Sequence, residues 1–237
     1  MNPDAAKINA AAAALEFVRE GMTIGLGTGS TAAHFVRLLG ERVRQGLVIL
    51  AVPTSEAART LAEASGVPLV DIARVTRIEV AVDGADEIDP GFRLIKGGGG
   101  ALLREKIVAS AAEHFIVIAD KSKPVKTLGA FPLPIEVAPF GFTFTARRVF
   151  EALRATGCAG DEVTLRQGAS PTLPYITDNG NFILDAAAKK IPDPAALEAA
   201  LKRIPGVVEH GLFIDLTHTV ILGDDDGVEI LDRPADR

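Results

Sequence analysis

Tryptophan is absent from this 237-residue sequence, and tyrosine and cysteine occur once each. With aromatics at 5%, a platform on which nucleic-acid bases could stack is hard to build. The single cysteine, Cys158, excludes an intrachain disulfide. That fits a reducing compartment, and the residue itself reads as a small packing side chain. Positive charge is also in short supply: 25 Lys and Arg face 31 Asp and Glu, for a net charge of −6. A broad basic face for nucleic acid is excluded on that balance. A phosphorylated small molecule is not, because backbone N–H groups and one or two lysines suffice to bind it. No apolar run is long enough to span a bilayer, so no membrane partner is expected. The Met1-Asn2-Pro3-Asp4 start carries no apolar signal segment, which makes the cytoplasm the expected compartment.

What is present is a core-forming chain, 48% apolar and too hydrophobic for disorder. Asn2-Pro3-Asp4 reads as a helix start, followed by helically spaced Ile8, Ala12, Leu15 and Val18. Strands are expected at 23–26, 47–52, 67–72, 78–82, 92–95 and 115–119. Helices are expected after residue 30, from a Thr54 cap to Gly66, and over 101–112. Strands alternating with helices predict an α/β fold, a mostly parallel sheet with helices on both faces. Working loops gather at the carboxyl ends of the strands in such sheets. The pattern changes after Leu128, where Pro132, Pro134 and Pro139 cluster. A helix over 145–155, strands at 162–166 and 182–184, and a helix opened by Asp193-Pro194 then predict a smaller α+β domain. The expected division is 1–128 with 207–237 for the first domain and 129–206 for the second.

Three loops carry the chemistry. In Gly25-Leu26-Gly27-Thr28-Gly29-Ser30-Thr31, glycines admit a ligand to the backbone, while hydroxyls and a helix start favour an anion such as phosphate. The plainer reading is a tight turn. It is not the dinucleotide fingerprint, because Ser30 replaces the third glycine and no acidic residue ends the next strand at Val52-Pro53-Thr54. Next, Asp83-Gly84-Ala85-Asp86-Glu87-Ile88-Asp89 holds four carboxylates. Crowding of that kind favours a retained proton and proton relay between sugar oxygens. A magnesium site or a solvated acidic turn are the rival readings. Last, Lys96-Gly97-Gly98-Gly99-Gly100 leads into a helix carrying Glu105. Four glycines in a row cost folding entropy, which close backbone approach to a ligand would justify, and Lys96 brings positive charge. Together the loops suit proton transfer next to a carbonyl, with donors holding an enediolate oxygen. Such chemistry calls for no cofactor. His34, His114, His210 and His218 show no metal-ligand spacing and read as packing or surface residues, and no metal site is expected.

These residues resemble a known family. The segments 25–31, Val82 to Ile88 and Lys96 to Lys106 are similar to the signature loops of type A ribose-5-phosphate isomerases. So are Ile118–Lys123, Phe131–Val137, Thr177–Asn181, Ile204–Val208 and Gly211–Phe213, in order across nearly the whole chain. The resemblance implies interconversion of ribose 5-phosphate and ribulose 5-phosphate through an enediolate, in the non-oxidative pentose phosphate pathway. It implies Glu105 as the proton-shuttling base, Asp83 and Asp86 on the sugar hydroxyls, and Lys96 steadying the enediolate oxygen or the sugar. Substrate-binding positions follow at Thr28, Gly29, Ser30 and Thr31, at Gly84 and Ala85 beside those aspartates, at Gly97, Gly98 and Gly99, and at Lys123. Lys7 falls where the family often has a lysine near the phosphate. The implied fold is a Rossmann-like domain with an inserted ferredoxin-like domain, and homodimers or homotetramers are usual. The segment Gly168–Tyr175 is a few residues longer than is typical. It lies in the small domain, where it is expected to bear on assembly rather than on chemistry.

Sugar-phosphate deaminases and CoA-transferases use similar sheets, but the 83–89 and 96–106 loops set this chain apart from them. A sugar-phosphate sensor would need a basic DNA-binding module, for which no room is left. An NAD-dependent dehydrogenase would need the missing fingerprint.

Overall fold

A computed structural model describes residues 3–170 and 172–234; Asn2, named above as part of the helix start, lies outside them. The chain forms two compact units, 1–85 with 104–123 and 215–237, and 86–103 with 124–214.

The first unit is built on six strands: β1 (Thr23–Leu26), β2 (Leu50–Pro53), β3 (Ile78–Asp83), β6 (Ala112–Asp120), β12 (Thr219–Gly223) and β13 (Val228–Asp232). Their order is β13-β12-β6-β3-β1-β2, and all neighbours are parallel except β12 and β13. β1 and β3 are neighbours, yet β2 lies on the far side of β1, so the strand order reverses at β1. Ligands of open α/β sheets bind outside the carboxyl ends of the strands at such a reversal. Helix α2 (Ser30–Arg44) buries Phe35, Val36 and Leu39 along one stripe, each worth about 1.5–3 kcal/mol of transfer free energy. Those side chains join Ile24, Leu26, Val80, Val82, Ile116 and Ile118 in one core. Helix α1 (Pro3–Ala14) packs its alanines there too.

The second unit reads β7 (Leu133–Val137), α5 (Phe142–Ala155), β8 (Glu162–Leu165), β9 (Phe182–Ala187), α6 (Pro194–Lys202), β10 (Val207–His210). This is the β-α-β-β-α-β order of ferredoxin-like units. It forms an antiparallel sheet of order β10-β7-β9-β8. A three-stranded sheet joins β4 (Glu87–Ile88), β5 (Leu94–Ile95) and β11 (Leu212–Phe213) in the order β11-β5-β4. The mostly parallel main sheet and separate antiparallel sheet are the α/β architecture anticipated from the alternation of elements.

Several local expectations shift. Residues 67–72 make an isolated bridge, Ala51 to Leu69, instead of a strand. The Val67 N–H is spent on Ala62 O of the preceding helix, and Pro68 has no N–H to give. Helix α3 (Glu56–Ala64) is capped by Ser55, whose side chain accepts from Ala58 N, and not by Thr54. The division of the chain also differs from 128/129 and 206/207. Residues 86–103 belong with the second unit, where Ile95 enters its core. The chain returns to the first unit only at Asp215, because Val207–His210 pairs with β7.

Gly223 ends β12, and a Cβ there would lie 1.9 Å from Ala6 O of α1. We expect Gly223→Ala to destabilise the fold by about 1–3 kcal/mol, read as a lower urea midpoint. An unchanged midpoint would refute this close packing of α1 on β12.

Candidate active site

The strand reversal puts the first loop and Asp83 side by side at the ends of β1 and β3. Gly27 N donates to Val82 O, which draws the loop onto β3. Asp83 Oδ1 accepts Thr28 N at 3.0 Å and Gly84 N at 2.7 Å. A Cβ on Gly27 would stand 2.1 Å from that same oxygen, so glycine is required there by the carboxylate. Asp83 itself is only 3% exposed. Thr28 Oγ1 reaches Ser55 Oγ at 2.8 Å and Thr54 Oγ1 at 2.9 Å, while Thr54 Oγ1 donates to Leu26 O. The Thr28 hydroxyl is therefore occupied in tying the first loop to the end of β2. Ser30 and Thr31 open α2, whose N-terminus has no side-chain cap hydrogen bond behind Gly29. The orphan donors of that first turn are suited to an anion.

Lys7, on α1, reaches the same helix start, donating from Nζ to Ser30 Oγ at 3.0 Å. At the end of β6, Asp120 accepts from the N–H and hydroxyl of Ser122, and Lys123 N donates to Asp120 O. Burial alone would raise the Asp120 carboxyl. The Ser122 hydrogen bonds, with the charges of Lys123 and Lys7, overcome it and hold the group below its ordinary value. Both lysines thus lie within electrostatic reach of one carboxylate.

Glu105 lies in α4 (Leu102–Ala111) and is 4% exposed. It therefore faces inward and not solvent. Its side chain lines a small cavity with Gly25, Gly27, Thr54, Asp83 and Phe115. The adjacent Arg104 turns away, to Glu56 Oε1 at 2.7 Å.

In the second unit, Lys96 is 2% exposed. Its backbone N donates to Gly211 O at 2.9 Å, and its Nζ sits 5.4 Å from the centroid of the Phe213 ring. Gly98 N donates to Asp86 Oδ2 at 2.9 Å. Gly97 and Gly100 both have positive φ, the backbone region that glycine enters without strain.

The acidic segment is not the crowded cluster that its sequence suggests. Glu87 faces inward from β4 and accepts Gly129 N and Phe131 N at 2.7 and 2.6 Å. Asp89 accepts Gly91 N and the backbone and guanidinium of Arg93. Each carboxylate has its own donors, so mutual repulsion does not govern the segment. Among the described residues, no three His, Cys, Asp or Glu converge as metal ligands. Two of the histidines, His114 and His218, stack on each other with Phe17 beside His114.

Sequence reasoning missed the hydroxyls of Thr54 and Ser55. They follow β2 at the same sheet end as the other loops, and that position was the available signal. It also missed Tyr175. The 168–175 segment was expected to stand apart from the three loops. Instead the Tyr175 hydroxyl points to Gly99 O at 3.4 Å.

Fold and residues together define the α/β class of enzymes, with the first glycine loop and Asp83 at the carboxyl ends of parallel strands. A family model described as ribose 5-phosphate isomerase A (phosphoriboisomerase A) matches residues 50–227. Ribose-5-phosphate isomerase A of Parvibaculum lavamentivorans is 55% identical over 98% of this chain and 100% of its own length. That of Maricaulis maris is 53% identical over 95% and 97%. A solved D-ribose-5-phosphate isomerase in complex with phospho-erythronic acid is 44% identical, with a TM-score of 0.91 over 98% of this chain and 100% of that one. The enzyme from Plasmodium falciparum superposes with a TM-score of 0.89 at 34% identity, over 97% and 98%. The chain belongs to the ribose-5-phosphate isomerase A family.

The inward placement of Glu87 gives a prediction. Glu87→Ala strands two buried N–H groups, so we expect a loss of about 2–5 kcal/mol in unfolding free energy, measured by urea titration. A variant as stable as the parent would return Glu87 to the reactive set.

Proposed function

We propose that Glu105 is the base with which this isomerase moves a proton between C2 and C1 of D-ribose 5-phosphate, giving D-ribulose 5-phosphate. The observation that carries the proposal is the burial of Glu105 against the same small void as Asp83 and the first glycine loop. In the open-chain aldose, Glu105 takes the hydrogen of C2 as a proton. The electrons form the C1–C2 double bond, and negative charge gathers on O1. Lys96 steadies that enediolate oxygen as a desolvated cation. Glu105 then returns the proton to C1, while the O2 hydroxyl proton passes to O1 through Asp83 or Asp86, leaving the C2 ketone. The same carboxylates contact the sugar hydroxyls and assist ring opening.

The phosphate is held by the start of α2, through Gly29, Ser30 and Thr31, with Lys7 and Lys123 supplying charge. Gly84, Ala85 and the Gly97–Gly99 backbone complete the binding set. Thr28 belongs to the same set and also fixes the loop, through its N–H on Asp83 and its hydroxyl on Ser55. Phospho-erythronic acid, held by a relative, supports this reading, because its carboxylate can stand for the paired oxygens of an enediolate. The protein works as a cytoplasmic homodimer or homotetramer. The small unit serves that assembly, and its Phe140 and Phe144, 95% and 71% exposed, are suited to cover by another copy. No helix among the described residues is long and apolar enough to cross a membrane.

Glu105→Gln keeps the shape and removes the base. We expect kcat to fall by about 10²–10⁴ with ribose 5-phosphate still bound, and deuterium from heavy water to enter C1 of the ketose only with the parent enzyme. Near-normal kcat in Glu105→Gln would remove Glu105 from this role.

A further inference from the structure

Gly97–Gly100 is a turn closed by Gly100 N donating to Gly97 O at 3.0 Å. It carries Lys96 at one end and meets Asp86 at its second residue. Its outer side is held by residues outside the three motif loops. Arg166, just past β8, donates from Nη1 to Gly97 O at 3.1 Å and to Gly98 O at 3.0 Å. The rest of its guanidinium forks onto Asp185 of β9, Nε to Oδ2 at 2.9 Å and Nη2 to Oδ1 at 2.5 Å. Arg166 N to Ile183 O and Tyr175 N to Arg166 O, both 2.8 Å, fix its backbone. Tyr175 adds its hydroxyl to Gly99 O, and its ring lies where a Cβ on Gly100 would stand, 2.3 Å from the phenol oxygen. Burial first, then the charge of Asp178, pushes the Tyr175 phenol upward, so it stays a donor.

The carbonyls of residues 97, 98 and 99 are therefore gathered toward donors on one flank. Neighbouring carbonyl dipoles repel when they converge, and a bare glycine turn has no reason to hold them so. A guanidinium offers separate hydrogens in a fixed plane and stays charged. Across a trans peptide the N–H points opposite to the C=O, and no cis bond is present among the described residues. The Gly97 carbonyl thus fixes the Gly98 N–H that Asp86 receives, and the Gly98 carbonyl turns the Gly99 N–H to the side away from Arg166.

We propose that Arg166, oriented by Asp185 and seconded by Tyr175, is a positioning residue for the isomerisation. It acts through two peptide planes to aim Asp86 and the Gly99 N–H at the substrate. The proposal rests on the assignment of Asp86 and the glycine turn to the substrate site. Arg166 itself touches no reacting atom. The longer 168–175 segment becomes part of this support, since it ends at Tyr175.

The test measures kcat and KM for ribose 5-phosphate in Arg166→Ala, Arg166→Lys and Tyr175→Phe, with thermal unfolding alongside. Misaimed donors lower turnover, so Arg166→Ala is expected to lose about ten- to a hundredfold in kcat with a smaller change in KM. Millimolar guanidinium should restore part of that loss saturably. Methylammonium should not, and Arg166→Lys should remain impaired. Tyr175→Phe should lose a few-fold. A folded Arg166→Ala with kcat within about twofold of the parent, or one that guanidinium leaves unrescued, overturns the proposal. If Arg166→Ala does not fold, Tyr175→Phe decides, and parental kcat there overturns it. Failure of the underlying reading shows separately: Asp86→Asn with parental kcat and KM removes Asp86 from the site whatever the Arg166 variants do.

Discussion

The Asp83 carboxylate is the constraint around which the first unit's working end is arranged. It sits at the strand reversal, is almost wholly buried, and one oxygen receives the N–H groups of Thr28 and Gly84. Burying an ion costs several kcal/mol unless it is hydrogen-bonded, and here the glycine loop supplies those bonds. The demand runs both ways. The loop can come close enough only if residue 27 has no side chain, because a Cβ would fall on the carboxylate. Thr28, once anchored to Asp83, places its hydroxyl against Thr54 and Ser55, and the chain then enters α2. Loss of this one carboxylate would release two loop N–H groups and remove the reason for the turn's shape.

What could be read from the sequence was whatever announces itself chemically within a few residues. Four glycines after a lysine, or a glycine run with hydroxyls between a strand and a helix, have few purposes in a folded protein. Alternating apolar runs gave the parallel sheet for a similar reason: burial on both faces leaves a periodic mark. The misreadings have a common cause, namely a partner far away in the chain. Asp83, Asp86, Glu87 and Asp89 look like one repelling cluster because the sequence does not display their donors. Glu87 answers to residues 129 and 131, and Asp86 to residue 98. Residues 67–72 look like a strand until the Val67 N–H is seen to belong to the previous helix. Arg166 had no local signal at all, since an arginine near a strand end is ordinary until its guanidinium is seen between Asp185 and two glycine carbonyls.

Net charge proves a poor guide to the local field. The chain is acidic by six charges, yet Lys7 and Lys123 act together on Asp120, and the start of α2 adds the positive end of a helix dipole near Lys7. Charges farther apart than the Debye length of about 8 Å at physiological salt are largely screened, so near neighbours count for more than the sum. The remaining acidic surface is screened beyond that range. Arg93 and Arg166 instead make fixed forks to the carboxylates of Asp89 and Asp185. Arginine suits that task because its donors lie in one rigid plane.

Buried ionisable side chains are expensive in stability in either unit. Lys96, Asp83 and Glu105 are each at least nine-tenths buried, and every such ion carries a desolvation cost of several kcal/mol. Glycines at 97 and 100, held at positive φ, add lost chain entropy. Hydrogen bonds from Thr28 and Gly84 recover part of the cost at Asp83, and the loops are too short and too polar to pack away the remaining costs. They are met by each unit's apolar core, the Phe35–Leu39 stripe and its neighbours in one and the Leu133–Val137 strand against Val149 and Leu153 in the other. The chemistry therefore depends on residues that never approach it. A methyl removed from either core would cost about 0.5–1.5 kcal/mol of the stability that offsets these burials.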